Sequence, residues 1–168
     1  RVGLTVQELQ RGVRLFAGVK RRQELRGVAQ GVAVVDDFAH HPTAIAETLQ
    51  GLRGRHGSGR LIAVMEPRSA TSRTAIFQSE FPEALALADE VIIAAVHQPE
   101  KAPVGNRLDV ERIAADVRTR GVPAKAIPRV DQIVEYLAQK VAAGDTVVGM
   151  SSGSFDGLHE KLLLRLGD

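Results

Sequence analysis

Apolar residues recur along this chain with two alternating periods, and their order lays out a fold. Val6, Leu9, Val13 and Phe16 fall on one face of a helix, and Gly18 stands where that helix would stop. A strand is predicted over residues 23–28, a turn at Gly31 and a second strand over 32–36. Pro42 suits the first turn of a helix whose apolar face is Ile45, Leu49 and Leu52, and residues 54–59 form a loop. Residues 61–65 are an unbroken apolar run, as a strand buried on both faces requires. A polar loop over 66–73 leads into a helix over 76–88, broken near Pro82. A strand over 91–96 and a long loop over 97–107 with Pro99, Pro103 and Gly105 come next. Val110, Ile113, Ala114 and Val117 mark a helix stopped by Gly121, followed by a short strand over 124–127. The stripe Val130, Ile133, Val134, Leu137, Ala138 and Val141 marks another helix, stopped by Gly144. The last strand covers 146–150, a small polar loop covers 151–154, and Phe155, Leu158, Leu162 and Leu166 line a final helix.

Strands alternating with helices predict an α/β domain: a Rossmann-like, three-layer arrangement around a mostly parallel sheet. There is no internal repeat and no low-complexity stretch. Ligands meet such sheets at the carboxyl ends of the strands. Four polar loops leave strands in that way, over residues 36–42, 66–73, 97–107 and 151–154, and the chemistry is expected there.

Composition narrows the classes. The 168 residues suffice for one domain with its own core. A net charge of +2, with basic residues spread out except at Lys20-Arg21-Arg22 and few aromatics, does not suggest a nucleic-acid partner. There is no cysteine, so disulfides, thiolate nucleophiles and cysteine zinc sites are excluded, which fits a reducing compartment. No apolar run approaches the ~20 residues that cross a bilayer, so no membrane span is expected. No signal peptide opens the sequence. It starts at Arg1 rather than Met, which predicts a piece of a longer protein.

Four constellations carry candidate chemistry, each beside a plainer reading. Asp36-Asp37-Phe38-Ala39-His40-His41-Pro42 joins two carboxylates and two imidazoles between a strand and a helix. They could meet ribose hydroxyls, stack on a base or bind metal, or merely cap a helix with the histidines in solvent. Gly18-Val19-Lys20-Arg21-Arg22 offers guanidinium forks to phosphate, or is a solvated basic turn. In Glu66-Pro67-Arg68-Ser69-Ala70-Thr71-Ser72-Arg73 two arginines flank hydroxyls, a shape for carboxylate capture or a capping surface loop. The run over residues 149–157, Gly-Met-Ser-Ser-Gly-Ser-Phe-Asp-Gly, can present amides and hydroxyls to an anion, or Ser154 simply caps a helix. Of the other histidines, His97 opens a candidate loop, while His56 and His159 read as structural or solvated. No G-x-x-x-x-G-K-[ST] sequence occurs, so a main ATP phosphate site would lie elsewhere.

Together these loops resemble the C-terminal domain of the Mur ligase family. Phe16-Ala17-Gly18-Val19-Lys20-Arg21-Arg22 is similar to the family's opening of that domain, and Asp-Asp-Phe-Ala-His-His-Pro-Thr over 36–43 is similar to its strand-end signature. The L-alanine-adding ligases usually have Tyr-Gly at Phe38-Ala39, and their strand-end loop usually reads Gln-Pro-His-Arg-Tyr, whereas this chain has Glu66-Pro67-Arg68-Ser69-Ala70-Thr71. Both differences point to the murein peptide ligase branch.

The resemblance implies a cytoplasmic three-domain enzyme of peptidoglycan recycling. Residues 1–18 would be the hinge or end of a central ATPase domain, and 19–168 the C-terminal domain. ATP would phosphorylate the carboxylate of UDP-N-acetylmuramate, and the amine of L-alanyl-γ-D-glutamyl-meso-diaminopimelate would attack the acyl phosphate and release phosphate. Mg2+ would be held mainly by the central domain, and this chain alone would be inactive. The resemblance places Arg22, Asp37, Phe38, His40 and His41 at the nucleotide, and Thr43, Arg68, Arg73, His97, Gly153 and Ser154 at the incoming peptide. It assigns no catalytic base and no metal ligand. Gln98-Pro99-Glu100 stands where the diaminopimelate-adding relative has Asn-Pro-Arg, so that loop does not match a diaminopimelate reader. The alternatives are an L-alanine-adding ligase domain, a metal hydrolase built on Asp36, Asp37, His40 and His41, and a non-catalytic binding module. The metal reading is geometrically awkward, because closely spaced ligands on one loop converge poorly on one ion.

Overall fold

The computed structural model describes residues 3–16, 18–55 and 59–167. Ala17 of the opening motif and His56 lie outside the described residues. The chain forms α1 (Val6–Leu15), β1 (Glu24–Ala29), β2 (Val32–Asp37), α2 (Pro42–Arg55), β3 (Leu61–Met65), α3 (Glu80–Leu85), β4 (Glu90–Ile93), α4 (Val110–Thr119), β5 (Ala124–Ala126), α5 (Val130–Ala138), β6 (Thr146–Met150) and α6 (Leu158–Gly167). The sheet order is β1-β2-β6-β3-β4-β5. Among the six described strands the β1–β2 hairpin is antiparallel and the other pairings are parallel. Continuous apolar runs became the central strands because both faces are covered. Every residue of β3 and β6 is buried.

On one face, Ile45, Leu49 and Leu52 of α2, Phe81 and Leu85 of α3, and Ile113 and Val117 of α4 pack against Val35, Ala63, Met65, Val91, Ile93 and Val148. On the other, Ile133 and Leu137 of α5 with Leu158, Leu162 and Leu166 of α6 cover Val32, Val34, Ile62, Val64, Ile92 and Val147. Both cores close from within the chain, so this unit can fold without a partner. The amphipathic α1 is different. A capping box, Thr5 with Glu8, starts it, yet none of its residues is buried. Val6 and Val13 of its apolar stripe are 67% and 74% exposed, so the stripe has no cover here.

Several predicted bounds move for local reasons. The helix expected over 76–88 divides into a 3-10 turn, Ala75–Phe77, and α3. The break precedes Pro82, which sits in the first turn of α3, where its missing N–H costs nothing. The strand expected over 91–96 stops at Ile93. Beyond it His97 N–H still donates to Pro67 O, but Pro67 has no N–H to return, so the ladder ends. The final helix opens with Phe155 and Asp156 at φ 49° and 46° and is regular only from Leu158. Gly54 and Arg55, placed in a loop by the sequence pattern, are the last turn of α2.

Candidate functional site

The register brings the predicted loops side by side. Asp37 lies opposite Met150, Met150 opposite Met65, and Met65 opposite Ile93. The carboxyl ends of β2, β6, β3 and β4 therefore finish in line, and each continues into a candidate loop. The chain leaves β2 and β3 toward the α2–α3 face and leaves β6 toward α6. β6 thus stands at a switch point, where open α/β sheets present a crevice.

Two adjoining carboxylates have opposite surroundings, because successive strand residues face opposite sides. Asp37 points toward α2 and is 2% exposed. Its Oδ1 accepts from Ala39 N–H at 2.7 Å and from the Thr48 hydroxyl at 3.2 Å, and its Oδ2 accepts from Gln23 N–H at 2.7 Å. Asp36 points toward α6 and meets Arg21 at 3.4 Å and Arg26 at 3.8 Å. Gln23 and Arg21 have φ of 50° and 57°, a left-handed backbone that non-glycine residues adopt at a cost of about 1 kcal/mol each. The Asp37–Gln23 bond, and the Arg21 N–H bond to the Glu24 carboxylate at 2.7 Å, hold that turn in place.

The turn delivers Arg21 and Arg22 to Phe38, with guanidinium carbons 5.2 and 5.3 Å from the ring centroid. His40 meets the same ring edge-on at 5.2 Å and is fixed by its Nδ1 at 2.8 Å from Phe38 O. His41 turns away and packs edge-on against Phe77 at 4.4 Å. Its Nδ1 accepts from Thr43 N–H at 3.3 Å, and Thr43 is exposed in the first turn of α2. Beside Arg22 lies an open groove of about 1090 Å³, bordered by Lys20, Arg22, Glu24, Asp37, Glu47 and Arg55. The rim carries both signs, and the Lys20, Arg22 and Arg55 side chains on it, with the cation-flanked ring of Phe38 nearby, are chemically suited to a phosphorylated ligand with a planar base.

A second cluster sits on the neighbouring strand ends. Glu66, buried at the tip of β3, accepts from the Ser151 hydroxyl at 2.5 Å. Arg68 and His97 stand 3.6 and 3.9 Å from the same carboxylate. The Arg68 side chain lies across Gly153, where even a β-carbon would overlap it. Arg73 Nε donates to His97 O at 2.7 Å, tying the loops after β3 and β4 together. Ser154 is exposed beside this cluster.

The structure thus gathers Arg68, Arg73, His97 and Gly153 in one cluster, and Arg22 with Asp37 around the groove, with Phe38 and His40 beside Arg22. His41 and Thr43 lie with Phe77 and α2. The groove lining includes none of the peptide-side candidates, so the site has two neighbouring parts. Sequence reasoning passed over Arg21, Glu66 and Ser151 as individuals. Glu66 and Ser151 each follow a fully buried run of five residues, a signal for a polar group at a strand tip, but their meeting depends on β3–β6 pairing. Asp36, Asp37, His40 and His41 have separate partners, and among the described residues no group of three or more His, Asp or Glu is placed to hold a metal ion.

His159, expected on a solvated or structural helix flank, is buried under β6 against Gly149, with its Nε2 3.8 Å from Asp36. Burial lowers its pKa from the ordinary imidazole range, and this outweighs the opposing pull of the Asp36 and Glu160 carboxylates. The folded domain therefore binds this proton only at a pH below the ~6.5 at which the unfolded chain binds it. Stability is present above the unfolded value and is lost as pH falls through it. The urea midpoint of the chain should decline between about pH 7.5 and 5.5, and His159→Gln should flatten that slope. Equal slopes in both proteins would contradict the assignment.

The comparisons with known proteins agree with this layout. The family model described as Mur ligase, glutamate ligase domain, matches residues 21–153. The UDP-N-acetylmuramate–L-alanyl-γ-D-glutamyl-meso-2,6-diaminoheptandioate ligase of Escherichia coli K12 is 39% identical over 163 residues, 96% of this chain and 34% of its own length. The UDP-N-acetylmuramate–L-alanine ligase of Mycobacteroides abscessus is 37% identical over 158 residues, 90% of this chain and 31% of its own length. The crystal structure of a murein peptide ligase from Psychrobacter arcticus superimposes with a TM-score of 0.76 at 34% identity, covering 99% of this chain and 34% of that one. This chain spans about a third of the length of the curated relatives it matches. With the domain match, the shared fold and the strand-end loops in register, the chain belongs to the Mur ligase family and corresponds to its C-terminal domain.

Proposed function

We propose that this chain is the closing domain of an ATP-dependent ligase that joins UDP-N-acetylmuramate to L-alanyl-γ-D-glutamyl-meso-diaminopimelate. The observation that carries this reading is the pair of adjoining half-sites. A groove beside Phe38 with Lys20, Arg22 and Arg55 on its rim suits a nucleotide, and a doubly arginine-bearing cluster on the next strand ends suits a peptide with several carboxylates. Arg22 would fork onto phosphate. Asp37 borders the groove and keeps one acceptor position on Oδ2, within the capacity of a carboxylate, for a ribose hydroxyl. Arg68 and Arg73 would take substrate carboxylates, with His97, Thr43, Gly153 and Ser154 around them.

Residues 1–18 would be the hinge to a preceding ATPase domain, and the uncovered stripe of α1 supports that boundary. Mg2+ would be held mainly by that domain, since among the described residues no group of three or more His, Asp or Glu is placed to hold a metal ion. Closure would align the reactants and exclude water, so positioning and charge stabilisation supply this domain's share of the catalysis.

The test is ligation by the full-length protein with ATP, UDP-N-acetylmuramate and either tripeptide or L-alanine, followed by mass spectrometry of the product. The tripeptide product is expected. A product formed only with L-alanine would move the chain to the other branch of the family, and no ligation with either would refute the reading. Because Arg22 is exposed, Arg22→Ala should leave the fold intact and lower activity more than about tenfold, with a raised KM for ATP. The isolated 168-residue chain should turn over no ATP.

A further inference from the structure

Between the two half-sites stands a side chain that belongs to neither. We infer that Arg21 is a positioning residue that locks the nucleotide-side loop to the peptide-side loop, so that both substrates are bound in one register. The inference rests on the function proposed above only for the identity of the substrates. The locking itself is geometric.

Arg21 makes contacts in four directions. Its Nη2 donates to Ser151 O at 2.7 Å and to Gly153 O at 2.5 Å, on the loop that carries Arg68's resting place. Its Nε meets Asp36 at 3.4 Å, which anchors the stem to β2. Its guanidinium lies 5.2 Å from the Phe38 ring, the aromatic shared with Arg22. Its own carbonyl accepts from Phe38 N–H at 2.8 Å. One residue therefore fixes the backbone and ring at the end of β2 and two carbonyls at the end of β6. A second bond, Ser151 N–H to Asp37 O at 3.1 Å, ties the same loops but cannot set Gly153.

Only a planar fork of donors can serve two carbonyls, a carboxylate and an aromatic face at once. A lysine would reach one of them as a point charge. The left-handed backbone at Arg21 fits this reading, because strain concentrates where a side chain must be held to a particular aim. Arg21 touches no reacting atom in this scheme. It acts through Phe38 and Gly153.

Two measurements on the full-length protein test this. In steady-state kinetics, Arg21→Ala and Arg21→Lys should each raise KM for ATP and for the amine substrate together and lower kcat more than about tenfold, and guanidinium ion should restore Arg21→Ala several-fold. A change in the KM of one substrate alone, or no rescue, would overturn the proposal. In amide hydrogen exchange, Arg21→Lys should deprotect Phe38 and Gly153 together while the amides of β3 and β6 keep wild-type protection. Deprotection of one loop without the other would overturn it. The exchange measurement needs no turnover, so it decides the locking role even if the wild-type protein proves not to ligate these substrates. Arg21→Lys keeps the charge and stem, which guards against a variant that fails to fold.

Discussion

Asp37→Ala should destabilise the domain by about 3–5 kcal/mol, the largest single loss expected from any residue of the site. The carboxylate is buried and takes three donors, Gln23 N–H, Ala39 N–H and the Thr48 hydroxyl. Alanine would leave all three unpaired in a nearly water-free place, and each such donor costs about 1–3 kcal/mol. The groove at its edge can admit water, which keeps the total below the simple sum. Release of Gln23 would also free the left-handed turn that aims Arg21 and Arg22, so activity should fall with stability. Asp37→Asn keeps the shape but replaces an acceptor with a donor, and should fall between the two. Urea unfolding of the chain and of both variants gives the comparison. A midpoint within experimental error of wild type for Asp37→Ala would show that the network has no such role.

Gly153→Ala should do the reverse, with nearly native stability and a loss on the order of a hundredfold in kcat/KM for the amine substrate. The added β-carbon would overlap the Arg68 guanidinium, which must then leave its seat beside Glu66. Arg68 is long, flexible and partly exposed, so moving it costs little folding energy but displaces a proposed carboxylate ligand by an ångström or more. KM for ATP should not change, because the groove beside Arg22 shares no lining with Gly153. Shortening the obstructing partner in the double variant Gly153→Ala/Arg68→Ala should add little further loss. Wild-type kinetics in Gly153→Ala would remove Arg68 from the substrate site.

Much of this architecture was legible in the sequence where one physical rule acted alone. The bounds of β3 and β6 were read to the residue, because burial on both faces makes continuous apolar runs with polar groups at their tips. The helical stripes of α4 and α5 were equally plain, and α4 ends near Gly121, but α5 stops at Ala138, short of the Val141 and Gly144 at which the stripe was read to end. The break expected near Pro82 was legible, but the 3-10 geometry of the first piece was not, and there Phe77 packs against His41 and Phe81. The placement of β6 between β2 and β3 was not legible, since it depends on pairing between strands far apart in the chain, and every meeting of the Ser151 loop with Glu66 or Arg21 follows from it.

The same limit applies to single residues. The motif over 36–42 announced itself, yet alternation along β2 sends Asp36 and Asp37 to opposite faces, with different partners. His159 sat on a predicted helix flank, and only the missing side chain at Gly149 makes room for it under the sheet. Arg21 was read as one of three cations in a basic turn. Its distinction from Arg22 comes from the left-handed backbone, which no residue pattern states.

A crystal structure of the full-length protein with a non-hydrolysable ATP analogue and the tripeptide bears most directly on whether this domain completes a shared site. The account predicts phosphates near Arg22, the base or ribose beside Phe38 and Asp37, and peptide carboxylates within reach of Arg68 and Arg73. Ligands bound wholly on other domains, with the ends of β2, β6 and β3 facing open solvent, would contradict it.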